Sequence, residues 1–254
     1  MLKKRIIPVQ LLLNERLVKT EKFDKWRDVG DPVKSSQVYN SQYADELIFL
    51  NIDRDGGDVQ GMGDLIEKVS EVSFMPLAIG GGIRTFEDAA FLIKRGADKV
   101  VLNSIAYDDP GIISKISERF GIQAVIVGID AIKDENTGGY QPVSNCGKTL
   151  QYVELEEHIK RVISFGAGEI MIQSIDRDGT MAGYDVELIN LVMQVATVPV
   201  IACGGSGNYD HLKEAFLETN VSALACGSLF NFSDSNPMRA KNFLSNYGIP
   251  FKKV

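Results

Sequence analysis

The chain is poor in the residues that build metal centres, disulfide frameworks and basic surfaces. It has three cysteines, two histidines and one tryptophan in 254 residues. Cys146, Cys203 and Cys226 form no CxxC pair, which excludes a disulfide framework and fits a reducing compartment. Neither His158 nor His211 ends an apolar run and the cysteine spacings match no metal motif, so no metal or other cofactor is expected. Basic residues are outnumbered: 27 Lys and Arg stand against 34 Asp and Glu, a net charge of −7. That balance argues against nucleic acid and acidic membranes as partners, while leaving room for a local phosphate pocket. No apolar run approaches the roughly 20 residues of a membrane span. The opening "MLKKRIIPVQLLLNERL" begins like a leader, basic and then apolar. Pro8, Gln10, Asn14 and Glu15 interrupt it and no small-residue cleavage site follows, so a cytoplasmic location is expected.

What the chain does have is regular alternation. Eight short apolar runs rich in Val, Ile and Leu occur at 5–10, 47–51, 76–79, 99–102, 124–129, 169–172, 198–202 and 223–225. Between them lie stretches of helical period such as "GDLIEKVSEV", "FEDAAFLIKRG", "DVELINLVMQV" and "DHLKEAFLET". Continuous apolar strands separated by helices call for a parallel sheet covered by helices. Eight such units in this length predict one α/β domain over 1–254, a closed (β/α)8 TIM barrel.

The pattern also repeats. "IDRDG" occurs at Ile52–Gly56 and again 123 residues on, at Ile175–Gly179. The same offset lays "MPLAIGGGIRTFEDAAFLIKRGADKVVLNS" on "VPVIACGGSGNYDHLKEAFLETNVSALACG". The expected barrel is therefore two half-barrel repeats, about 1–122 and 123–254, with both pentapeptides at the C-terminal mouth.

Active sites of such barrels lie at that mouth. "GGGIR" after the third run and "NS" after the fourth make one candidate phosphate cradle, with Gly82, Asn103 and Ser104 as contacts. "CGGSG" after the seventh and "CGS" after the eighth make another, with Gly205, Gly227 and Ser228, joined by Gly179. Glycines let backbone N–H groups approach an anion, and helix starts add positive dipole. One glycine-rich strand end is equally a plain turn; two at repeat-related positions point to a substrate with two phosphates. Asp130 ends the fifth run, and Asp176 and Asp178 follow the sixth. A carboxylate there is a natural general acid/base, or else a helix cap or loop ion pair. The repeat places Leu11, with Gln10 beside it, opposite Asp130. Cys203 and Cys226 end the seventh and eighth runs, and Cys146 lies in the long connection after the fifth, so all three thiols are expected near the mouth. Phe23 and Trp26, in the long connection after the first run, form either a lid or ordinary packing.

"KRIIP", "LVKT…FDKWRDVGDP", "ADELIFLNI", "GGGIR", "RGADKVVLNS", "GIDA", "GAGEIMIQSIDRDGTMAGYD" and "GGSG" together resemble the cyclase subunit of imidazole glycerol phosphate synthase, essentially end to end. That resemblance implies ammonia supplied by a glutaminase partner, a phosphorylated substrate, and two catalytic aspartates at the mouth. One falls on Asp130; the other falls on Leu11. It also implies substrate contacts at Lys19 and Asp178. Three further family positions differ, carrying Asn51, Gln173 and Cys203 instead of an aspartate, a threonine and a serine. The family's charged ring gating ammonia entry maps onto Arg5, Glu46, Lys99 and Glu169, with Asp98 on the glutaminase-facing surface. Without the resemblance, those charges read as solvated strand starts.

A kept ammonia end and an altered cyclising end resemble a paralogous branch linked to surface polysaccharides. Its members pair with a glutaminase-like subunit and a third, amidotransferase-type enzyme to convert an acetamido to an acetamidino sugar. The alternative is a working histidine-pathway cyclase in which Gln10 or a water replaces the lost acid. A scaffold that only conducts ammonia is the third class.

Overall fold

A computed structural model describes residues 3–53 and 59–252. Residues 54–56, the "RDG" of the first pentapeptide copy, lie outside the described residues. In chain order the strands are β1 (Arg5–Leu13), β2 (Arg16–Thr20), β3 (Trp26–Gly30), β4 (Leu47–Asn51), β5 (Leu77–Gly80), β6 (Lys99–Leu102), β7 (Val125–Lys133), β8 (Tyr140–Ser144), β9 (Thr149–Leu150), β10 (Glu169–Ser174), β11 (Val200–Cys203) and β12 (Ala223–Cys226). Eight of them pair in parallel in the order β10–β11–β12–β1–β4–β5–β6–β7, and β7 pairs with β10 to close the ring. Each is followed by a helix: Pro32–Ser41, Val59–Ser70, Phe86–Lys94, Gly111–Phe120, Leu155–Ser164, Val186–Val195, Tyr209–Thr219 and Pro237–Ser245. The expected closed (β/α)8 barrel is the observed fold.

Local chemistry explains the helix starts. Asp31 accepts the N–H of Lys34 ahead of Pro32, and Asn236 accepts that of Arg239 ahead of Pro237. Thr85 and Asp88 form a reciprocal capping box. The strands are continuous apolar runs because both faces are buried. One face meets the helices through the large cluster that includes Ile6, Phe49, Ile79, Val127 and Leu224. The other fills the barrel interior with Ile7, Val9, Ile48, Ala78, Val101, Ile126, Met171, Ile201, Ala223 and Ala225.

The two long connections are not plain loops. β1 continues past the barrel and turns back antiparallel as β2, which pairs with β3; β7 likewise pairs antiparallel with β8, and β8 with β9. These ribbons follow the first and the fifth barrel strands in chain order, and residues of both line the mouth. No helix among the described residues is long and apolar enough to cross a membrane.

Candidate active site

Strand alternation decides which residues reach the interior. The inward series run Arg5–Ile7–Val9–Leu11 on β1, Lys99–Val101–Asn103 from β6, Ile126–Gly128–Asp130 on β7 and Glu169–Met171–Gln173 on β10. One set of positions therefore supplies a charged bottom, an apolar middle and a polar mouth.

The mouth is a cavity of about 870 Å³. Asp130, Asn103, Ser104, Gly82, Lys19, Asp178, Gly179, Gly205, Gly227 and Ser228 all line it, and so do Leu11, Asn51, Gln173 and Cys203. Asp130 receives a hydrogen bond from Asn103 Nδ2 at 2.9 Å. Burial pushes the Asp130 carboxyl up to about 7, against the Asn103 bond that pulls it down and with the nearby Asp178 charge reinforcing it. Leu11 stands diametrically across, since β1 and β7 are four strands apart in the ring of eight. Like Leu50 and Cys203, it packs against the top of the interior cluster.

The two glycine-rich strand ends also face each other across the ring, on β5 and β6 and on β11 and β12. The N–H groups of Gly82, Gly179, Gly205 and Gly227 find no acceptor among the described residues. Gly81 (φ +88°) and Gly205 (φ +104°) admit no side chain. A Cβ on Gly81 would lie 1.9 Å from the Asn51 carbonyl oxygen, and one on Gly205 2.0 Å from that of Gly183. Ser104 and Ser228 open short helices, where the first N–H groups lack intrahelical partners. The Ser104 hydroxyl accepts the Asn145 N–H, whereas the buried Ser228 hydroxyl has no partner among the described residues. Lys19 is buried over Gly227 and paired with Asp178 at 2.9 Å, and Thr20 Oγ1 donates to the other Asp178 oxygen. Lys19 thus fixes the β2 ribbon to the turn that follows β10.

Several expectations need correcting. Gln10 does not stand in for the missing acid: it points outward, where its Nε2 donates to Tyr39 Oη and its Oε1 accepts from Ser35 Oγ. Asp176 lies outside the cavity and accepts the Lys133 N–H. The three thiols do not converge, because Cys226 faces the helix layer beside Tyr184 and Ser206 while Cys203 faces inward. Burial raises both thiols, Cys226 to about 11, which suits neither for nucleophilic attack. Phe23 and Trp26 line the mouth from the β2–β3 ribbon, with Trp26 55% exposed.

The barrel bottom carries a closed ring of charge. Arg5 Nη1 bonds Glu46 Oε2 at 2.8 Å and its Nη2 bonds Glu169; Lys99 Nζ bonds Glu46 at 2.9 Å and Glu169 at 2.5 Å. Two cations and two anions cancel. Burial raises the Glu46 carboxyl above its usual range, and its Oε1 has no partner among the described residues. The Glu169 carboxyl ends below its usual range, because bonds to Arg5 and Lys99 outweigh its own desolvation. Asp98, exposed beside the ring, accepts the Leu77 N–H that begins β5.

Position 173 was visible in the sequence only as a departure. Counting the inward alternation from Glu169 would have placed it in the mouth.

Residues 5–235 match the family described as "Histidine biosynthesis protein". The imidazole glycerol phosphate synthase subunit HisF of Staphylococcus carnosus (strain TM300) is 39% identical over 249 residues, covering 98% of each chain.

Proposed function

This chain belongs to the histidine biosynthesis protein family, among the HisF cyclase subunits of imidazole glycerol phosphate synthase, and from that membership we propose how its two ends divide the work. Ammonia from a glutaminase subunit enters at the Arg5–Glu46–Lys99–Glu169 ring and crosses the apolar interior as the neutral molecule. It meets a phosphorylated substrate held between the two glycine-rich cradles. Asp130, poised near neutrality, takes and returns the proton as nitrogen adds to the substrate. Cytoplasmic location follows from this role, and the two half-barrels are read as copies of one ancestral unit.

The observation that carries the choice of substrate is Leu11 opposite Asp130. A leucine neither donates nor accepts a proton, and Gln10 is turned away. A mouth that keeps one acid of the family's catalytic pair suits amidination of an acetamido sugar, in concert with a third, amidotransferase-type enzyme, better than the two-acid ring closure. A second reading, the histidine-pathway cyclase itself, is favoured by the identity with the HisF subunit over nearly the whole chain. The test is ammonium-driven turnover offered each substrate in turn, the acetamido sugar in the presence of the third enzyme whose activation of the amide oxygen lets it leave. Nitrogen incorporation into the acetamido sugar, with little or none into the histidine-pathway intermediate, supports the first reading. Strong cyclisation abolished by Asp130→Asn establishes the second.

A further inference from the structure

Two carboxamides on the floor of the mouth carry buried atoms that the proton transfer above does not use. Gln173 on β10 is registered directly against Asp130 on one side and Cys203 on the other. It is 6% exposed and lines the cavity, and its Nε2 has no hydrogen-bond partner among the described residues. Asn103 flanks Asp130 on the opposite side. Its Nδ2 is committed to Asp130 Oδ2, which orients the amide, and its buried Oδ1 is left without a partner. Leaving such buried groups unpaired costs about 1–3 kcal/mol each, so a fold retains them where a ligand completes them.

The two orphaned atoms are opposite in sense, one donor and one acceptor, on either side of one carboxyl group. A phosphate or carboxylate offers only acceptors and would bring negative charge beside Asp130 and Asp178. A planar amide carries both halves of the complement: its carbonyl accepts from Gln173 and its N–H donates to Asn103. We propose that Gln173 and Asn103 form a neutral amide subsite, which seats an amide-type group of the substrate against Asp130. This deepens the proposed function and rests on its reading of the mouth as the substrate site. Gln173 is here a positioning residue.

Nuclear magnetic resonance on the 15N-labelled full chain tests it, with N-methylacetamide, acetate and inorganic phosphate as probes. The side-chain signals are assigned through Gln173→Met and Asn103→Ser. N-methylacetamide is expected to shift both carboxamide signals saturably, and acetate to leave them in place. Gln173→Glu, which keeps the length and removes the donor, should weaken amide binding about tenfold or more, the loss of roughly 1.4 kcal/mol. Phosphate should still shift the amides of Gly82 and Gly205 in that variant. Carboxamide signals that ignore the amide, or answer acetate equally, overturn the subsite while a surviving phosphate response leaves the cradles standing. An amide response with no phosphate response supports the subsite and refutes the cradles instead.

Discussion

Replacing Lys99 by methionine keeps an unbranched apolar stem and removes one of the two cations that neutralise the ring. Lys99 Nζ is within 2.9 Å of Glu46 and 2.5 Å of Glu169, and the Glu46 side chain is only 2% exposed. Arg5 alone would then face two buried carboxylates. Removing one partner of a buried pair typically costs about 3–5 kcal/mol, because the other charge is stranded. The ring has one escape, which is protonation of Glu46. Its carboxyl already sits above the usual value through burial, and losing the attraction of Lys99 raises it further. A carboxyl raised in the folded state contributes stability below its unfolded value, near 4.5, and that stability is lost as pH climbs through the folded value. The deficit of Lys99→Met against wild type should therefore grow as pH rises above that unfolded value. Urea midpoints at pH 5, 6.5 and 8 measure it, and adding Glu46→Gln should remove most of the pH dependence. A deficit below about 1 kcal/mol at every pH, the range of exposed pairs, would refute the reasoning and make the ring surface chemistry.

The remaining predictions concern the helix layer and the mouth. His158 is fully buried, stacked on Tyr107 with ring centroids 3.9 Å apart, and burial pushes its imidazole down to about 4 from 6.5. Stability should be full above pH 6.5 and fall by about 3 kcal/mol as pH drops towards 4; His158→Phe should flatten that acid limb in chemical denaturation. Asp130→Asn should lower ammonium-driven turnover on the order of 10²–10⁴-fold. Asn103→Ala removes the bond that holds the Asp130 carboxyl down, so the rise of rate with pH should shift above its wild-type position near 7. Leu11→Asp should raise cyclisation of the histidine-pathway intermediate above the wild-type rate, measured as product formed with ammonium salts; an unchanged rate would mean that position 11 is not what limits this mouth.

The barrel was legible because strands buried on both faces must be apolar throughout, so each of the eight runs marked itself. β3 and β9 gave no such signal. Trp26, Arg27 and Asp28 in β3 are exposed, as are Thr149 and Leu150 in β9, so these two strands are held by backbone pairing with little apolar burial of their own. The site was legible at strand ends but not to the residue. Side chains alternate along a strand, so a shift of one position exchanges mouth for helix layer. Gln10 beside Leu11 and Cys226 beside Gly227 are separated in this way, each adjacent in sequence and opposite in facing. The resemblance to a family placed the ring residues together, whereas composition alone favoured solvated charges. What brings them into contact is register: Arg5 on β1, Lys99 on β6 and Glu169 on β10 open their strands facing inward, and Glu46 immediately precedes β4.

The central claim is that nitrogen reaches Asp130 through the barrel and not from solvent. The direct measurement uses the chain reconstituted with a glutaminase subunit, amide-15N glutamine and an excess of unlabelled ammonium, with the isotope read in the product for each candidate substrate. Product labelled far above the bulk ammonium ratio is expected, with Lys99→Met or Arg5→Ala bringing the label towards that ratio. Product at the bulk isotopic ratio in the wild-type complex would contradict the claim.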